Sequence, residues 1–162
     1  MKKLVKVFCT LILGLAMSAG LMAQTAAAPA LGDGSEGNPY QIASLDNLYW
    51  LSAPDDVVPS PNQAARWVAH YIQTADIDAS ATSAWNSGDH DNDANTADEP
   101  MGFLPIGNGS TRFTGFYDGG AYSINNLFIN RPTSGNVGLF WWIQNAKIQN
   151  IGLTNISITG KV

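Results

Sequence analysis

The sequence predicts an all-β solenoid of the parallel β-helix type, and three observations carry that expectation. A short phrase occurs twice: Ile124-Asn125-Asn126-Leu127-Phe128-Ile129 and, 24 residues on, Ile148-Gln149-Asn150-Ile151-Gly152-Leu153. A fixed period of this size marks a repeat architecture, in which each unit buries its apolar face against its neighbours. Second, the apolar steps alternate between two and three, through Tyr122, Ile124, Leu127 and Ile129, then through Ile148, Ile151, Leu153, Ile156 and Ile158. A flat strand keeps a step of two and a helix drifts at about 3.6, so the alternation fits short strands separated by corners that use one extra residue. Third, Gly and Asn stand where those corners fall: Asn130, Gly135, Gly138, Asn145, Gly152, Asn155 and Gly160. Asn126 and Asn150 are then expected one above the other. They form either a hydrogen-bonded amide ladder or two loop amides facing water.

The chain opens with a segment that does not read as structure. Met1-Lys2-Lys3 and Lys6 supply positive charge, Val7 to Met17 is apolar apart from Thr10 and Gly14, and Leu21-Met22-Ala23 ends on a small residue. That is the layout of a secretory signal peptide over residues 1–23, cleaved before Gln24. The apolar run falls short of the ~20 residues of a membrane span, and a retained N-terminal anchor is the competing reading. Cys9 lacks the small-residue pattern of a lipoprotein signal, which argues against lipidation. Cleavage takes Lys2, Lys3 and Lys6 from the 8 basic residues and leaves all 13 acids, so the formal charge moves from −5 to −8. It also removes the single cysteine, Cys9, and with it any disulfide or thiol nucleophile. Nucleic-acid and anionic-membrane binding need clustered Lys and Arg, and this acidic chain lacks them. The remaining length suits one domain, and all 5 tryptophans are available to its core.

Residues 24–31 read as a flexible, low-complexity lead-in. The run 32–39, Gly-Asp-Gly-Ser-Glu-Gly-Asn-Pro, calls for turns. A phosphate loop would need a strand before it and a helix after it, with the right Gly or Lys spacing. Tyr40-Gln41-Ile42 is a short strand. Ser44 is the N-cap of a helix from Leu45 to Leu51, with Leu45, Leu48 and Leu51 on one face and Trp50 flanking. This helix reads as an apolar plug over the end of a structure rather than a partner-binding groove, and Pro54, Pro59 and Pro61 end it. Residues 32–64 thus form an N-terminal cap. From Ala65 to Ile77 the pattern is ambiguous and admits a strand buried on both faces, closed by Asp76-Ile77-Asp78. Those two aspartates read as a strand end in solvent, with metal binding the sharper alternative.

Residues 86–100 have almost no apolar content and form an acidic loop insertion. Asp89, Asp91 and Asp93 resemble the start of a calcium loop. Ala94 then stands where an EF-hand has Gly, Pro100 where it has the bidentate Glu, and Glu99 comes one position early. Calcium is the one cofactor considered, held by those three aspartates, and a solvated acidic loop with His90 in solvent is the alternative. Beyond it, Asp118-Gly119-Gly120 signals a tight turn, which competes with an acid/base or calcium role for Asp118. Residues 113–162 hold the clearest coils. Val137, Leu139 and Phe140 suggest a buried strand. Of Trp141 and Trp142, one is expected inward and the other outward, as a packed cap residue or a platform for a sugar ring.

These pieces together resemble the GLUG-repeat, adhesin-like proteins of bacterial surfaces. Gly32-x-Gly34, Asn38-Pro39-Tyr40-x-Ile42, Leu48 and Leu51 look like the opening motif of such proteins. Tyr71-Ile72-x-x-Ala75-Asp76-Ile77-Asp78 is similar to a first core strand. Phe113-x-Gly115-x-x-Asp118-Gly119, Ile124-x-Asn126-Leu127 and Val137-Gly138-Leu139-Phe140 resemble the rungs, as does Ile148-x-Asn150-Ile151-Gly152-Leu153. Trp141 departs from the pattern, standing where a glycine is common, and so does the insertion at 86–100. The resemblance implies a right-handed parallel β-helix, pectin-lyase-like, over residues 32–162. It further implies an extracellular or cell-surface role, with surface glycans or host and cell-surface proteins as partners. It brings no catalytic residues.

The expected function is therefore an exported, non-enzymatic, adhesin-like surface or secreted protein. The alternatives are a polysaccharide-active lyase or hydrolase and a calcium-stabilised carbohydrate-binding module. An enzyme of that kind needs paired carboxylates, or calcium with a basic proton acceptor. The basic residues after 23 are Arg66, Arg112, Arg131, Lys147 and Lys161, and none sits in an evident acidic cluster. Repeat proteins generally carry a polar cap at each end. None is visible before Val162, so a C-terminally incomplete solenoid, the N-terminal part of a longer protein, is expected.

Overall fold

The computed structural model describes residues 24–88 and 99–161. The expected signal peptide, the calcium-loop candidates Asp89, Asp91 and Asp93, and His90 lie outside the described residues. Chain order begins with strand β1 (Tyr40–Ile42), helices α1 (Leu45–Ser52) and α2 (Gln63–Arg66), and strands β2 (His70–Gln73) and β3 (Ile77–Asp78). A 3₁₀ turn (Ser80–Ala84) and the pair β4 (Ser87–Gly88) and β5 (Glu99–Pro100) follow. The remaining strands are β6 (Phe116–Asp118), β7 (Ser123–Asn125), β8 (Phe128–Asn130), β9 (Lys147–Gln149), β10 (Gly152–Thr154) and β11 (Ser157–Thr159).

Three small parallel sheets carry the molecule, in the orders β1-β2-β6-β9, β10-β7-β3 and β11-β8. Pairing is in register, so side chains of one kind form columns. Tyr40, Tyr71, Tyr117 and Ile148 are successive partners in the first sheet. Ile77, Ile124 and Leu153 are partners in the second, and Ile129 and Ile158 in the third. Because strand side chains alternate between faces, the columns point inward, where Tyr71, Tyr117, Ile124 and Ile129 are fully buried. Each such aliphatic side chain contributes about 1.5–3 kcal/mol through burial. Tyr71 and Tyr117 stack with centroids 6.4 Å apart. Gly115 allows the tiers to approach, since a Cβ there would lie 2.2 Å from the Ala69 carbonyl oxygen.

The first tier is closed from above. Ser44 caps α1 by accepting from the Asn47 N–H at 3.2 Å, and Leu48, Trp50 and Leu51 are buried beneath it. The lead-in at 24–31 is held to this cap. The Ala27 N–H donates to the Asp46 carbonyl, the Asn47 amide to the Ala27 carbonyl, and the Gln41 N–H to the Leu31 carbonyl. Behind α1 the proline-rich loop is clamped by Arg66, which is fully buried. Its guanidinium donates to the carbonyls of Val58 at 2.8 Å, Pro61 and Ala53, and lies 5.6 Å from the Trp50 ring centroid. The Trp67 indole N–H donates to the Leu51 carbonyl at 3.0 Å, joining the loop to the helix.

Several expectations are corrected. An all-β right-handed parallel β-helix is not what the structure shows: it has separate sheets of four, three and two short strands, one antiparallel pair and three helical segments. The two-and-three apolar rhythm specifies a strand, a corner and another strand locally. It does not dictate what joins them, and side-chain caps at Ser44 and Asn62 turn parts of the chain helical. The 24-residue period is not the pairing offset either. Ile124 pairs with Leu153, an offset of 29, and Tyr117 with Ile148, an offset of 31. The two copies of the phrase occupy different corners, β7 to β8 and β9 to β10, which share a left-handed Asn. Asn126 and Asn150 form no ladder, because their amides donate to Asp78 and Asp118 instead.

Residues 65–77 are not one strand buried on both faces. Arg66 ends α2, and β2 buries only alternate residues, Tyr71 and Gln73. Val137, Leu139 and Phe140 form no strand; Phe140 makes one isolated bridge, to Ile106. Neither Trp141 nor Trp142 points into the core, the two being 38% and 40% exposed. The acidic insertion starts and ends as an antiparallel pair, Ser87 opposite Pro100 and Gly88 opposite Glu99.

Candidate functional site

The corners between β3, β6 and β7 and their neighbours carry the three aspartates that the sequence singles out among the described residues. Asp76 accepts from the Ser123 N–H at 2.7 Å and the Ser123 hydroxyl at 2.9 Å. Asp78 accepts from the Ser80 N–H at 3.0 Å and the Asn126 amide at 3.1 Å. Asp118 accepts from the Gly120 N–H at 2.9 Å, the Gln149 amide at 2.7 Å and the Asn150 amide at 3.1 Å. Asp78 and Asp118 therefore cap their own turns, and all three carboxylates reach across to the next tier.

Hydrogen bonds to the ionised form hold all three below the usual carboxylate range. The main cause is the Ser123 backbone N–H for Asp76, the Asn126 amide for Asp78 and the Gly120 backbone N–H for Asp118. A general acid needs the opposite shift, toward neutral pH. Asp118 stands in the turn position, accepting from the Gly120 N–H two residues on. Asp76 and Asp78 brace the next tier rather than merely ending a strand in solvent. Among the described residues, no group of three or more His, Cys, Asp or Glu side chains is placed to hold a metal ion.

Two concave surfaces flank these corners. A groove of about 670 Å³ lies between the start of α1 and the 3₁₀ turn, lined by Thr25, Ser44, Leu45, Asp46, Asp78, Ser80, Ala81 and Trp85. The Trp85 indole nitrogen is buried and has no hydrogen-bond partner among the described residues. A second cleft, of about 300 Å³, lies on the outer face of the four-stranded sheet between Glu36, Pro39, His70, Phe116 and Lys147. Register sets three of its residues in a column, His70 beside Phe116 beside Lys147. The His70 and Phe116 rings are 5.6 Å apart, and the Lys147 ammonium lies 5.3 Å from the Phe116 centroid. Aromatic and hydroxyl-bearing walls with a few charges suit a polar ligand that also has an apolar face. Sequence reading missed both surfaces, since their residues come from distant segments. The only signal was the outward member of each strand, such as His70 and Lys147.

No family model matches the chain, and no solved structure matches it. Two relatives do. The chain is 38% identical over 135 residues to Halomucin of Haloquadratum walsbyi, a stretch covering 80% of this chain and 1% of that protein. It is 41% identical over 59 residues to a Gly-rich membrane protein of Evansella cellulosilytica, covering 36% of this chain and 7% of that one. The chain thus spans only a small part of each relative's length. Among the described residues, no helix is long and apolar enough to cross a membrane. The similarities are consistent with a surface or secreted protein.

Proposed function

We propose that this chain is a non-enzymatic, adhesin-like part of an exported surface protein, of the GLUG-repeat kind, that meets glycans or cell-surface proteins. The observation that supports it most is the engagement of Asp76, Asp78 and Asp118. Each accepts from backbone, hydroxyl or amide donors of the adjoining tier and so fastens one tier to the next. Such carboxylates suit a rigid spacer or binding surface better than proton transfer. The names of the two relatives, a halomucin and a membrane protein, fit a place at the cell surface.

The test pairs retention with turnover. The exported chain is passed over immobilised acidic polysaccharides and over intact cells, and the same mixtures are assayed for new reducing ends and unsaturated products. Retention without product is expected. Product release that disappears in Asp118→Asn would overturn the reading in favour of a polysaccharide-active enzyme.

A further inference from the structure

We propose that the groove between the start of α1 and the 3₁₀ turn is a binding site for a neutral sugar ring. Such a site rests on the adhesin-like reading above and gives its glycan a place and a chemical class. The groove's volume, about 670 Å³, falls within the range of about 300–1,000 Å³ typical of small-molecule sites. Trp85 lines it and is only 4% exposed. The Trp85 backbone N–H donates to the Thr82 carbonyl, and its own carbonyl accepts from the Gly102 N–H. Its ring stacks on Phe103 with centroids 6.4 Å apart and packs against Tyr49 at 5.2 Å. A side chain held this firmly still leaves its buried indole N–H without a partner among the described residues. Buried donors are nearly always satisfied, so an orphan in the wall of a groove calls for a partner from outside the chain.

The chemistry of the walls selects that partner. In the first turn of α1, the Asn47 N–H donates to the Ser44 hydroxyl and the Leu48 N–H to the Ser44 carbonyl. The N–H groups of Leu45 and Asp46 make no hydrogen bond among the described residues, as the start of a helix leaves them. Acceptors stand beside these donors. The Asp46 carboxylate accepts no hydrogen bond among the described residues. Asp78 accepts from the Ser80 N–H and the Asn126 amide, and a carboxylate takes about four such bonds. Donors and acceptors in one groove suit hydroxyl groups, which act as both. Leu45, Ala81 and the Trp85 ring offer apolar surface to the C–H face of a sugar. Charge narrows the choice further. The lining holds Asp46 and Asp78 and no Lys, Arg or His, so an acidic sugar meets carboxylates and no cation. An ammonium group meets the positive end of α1, which favours negative charge. A neutral polyol satisfies both sets.

The test titrates the isotope-labelled exported chain with glucose, galactose, mannose and N-acetylglucosamine, with glucuronate and glucosamine as charged controls, and follows the indole N–H resonances. The Trp85 signal, assigned by its absence in Trp85→Phe, is expected to move with at least one neutral sugar and with neither control. Asp46→Ala should weaken that binding about tenfold or more, the loss expected for a hydrogen bond to a charged group, with the circular dichroism unchanged. Val68→Lys, at a site 61% exposed outside the groove, should bind as the wild type does. A Trp85 signal unmoved by every neutral sugar, an equal response to either control, or full affinity in Asp46→Ala would overturn the proposal. Retention on intact cells separates the groove from the wider reading. Wild type and Asp46→Ala held equally by cells, with no sugar bound, would count against the groove and leave the adhesin role standing. Sugar binding without cell retention would support the groove and count against that role.

Discussion

At the first tier Ile42 sits fully buried under α1, with Leu48 and Leu51 packed above it and the loop beyond clamped by Arg66. At the last tier Leu153 and Ile156 occupy equivalent inward columns and remain half in water. Both ends are short strands, but β1 runs into Ala43 and the helix cap Ser44, whereas β10 and β11 run into Asn155 and Gly160. The neighbour differs as well. One end has a capped helix and a buried cation holding the covering segment in place, and at the other β9, β10 and β11 are paired on one side only among the described residues. Burial in a stacked sheet is thus conferred by the next tier, so identical residues contribute unequally along the stack.

The largest effect separating the ends should come from Arg66→Ala. It leaves the carbonyls of Ala53, Val58 and Pro61 without their donor. An unsatisfied buried polar group costs about 1–3 kcal/mol, so a loss of about 3 kcal/mol or more is expected in urea unfolding. A loss below about 1 kcal/mol would show that the clamp does not hold the closed end. Next come matched truncations. Ile124→Ala should cost about 2–5 kcal/mol as a core cavity. Leu153→Ala, its direct partner one tier on, should cost about 1 kcal/mol or less, since much of that side chain already meets water. Equal losses would remove the distinction between tiers.

A smaller effect, about 1–3 kcal/mol, is expected for Gly115→Ala, whose new Cβ must push the Ala69 carbonyl away and disturb its bond from the Phe116 N–H. Subtler still is the response to acid. Asp76, Asp78 and Asp118 are depressed in the folded state, so their stabilisation is fully present above the ordinary carboxylate range and is lost as pH falls through their folded values. Stability should therefore hold at neutral pH and fall below pH ~4. Asp118→Asn should flatten part of that acid limb in melting curves recorded against pH. An unchanged limb would show that its tier-to-tier bonds contribute nothing.

What could be read from the sequence was mostly local. Tyr40–Ile42 and the helix beginning at Leu45 were legible because Ser44 is an N-cap and the leucines fall at helical spacing. The turn at 118–120 was legible because Asp-Gly-Gly has few other uses. The pairing offset was not. A corner made by Asn126 looks the same as one made by Asn150, and only long-range pairing shows that Asn126 stands by Thr154, whose carbonyl its N–H meets. Arg66 was also hidden, since nothing nearby announces that three carbonyls of a proline-rich loop will converge on it. Trp141 and Trp142 were read as one in and one out, on the assumption that a tier has an interior. In the structure both stand outside the core.

The paired neck β4–β5 has a consequence of a different sort. Directly opposed antiparallel residues sit about 4.5–5.5 Å apart, so Gly88 and Glu99 fix both ends of the intervening segment at one strand spacing. Lengthening a flexible closed loop costs only ~0.6 kcal/mol per doubling. Peptide insertions between Gly88 and Glu99 should therefore lower the melting temperature only slightly.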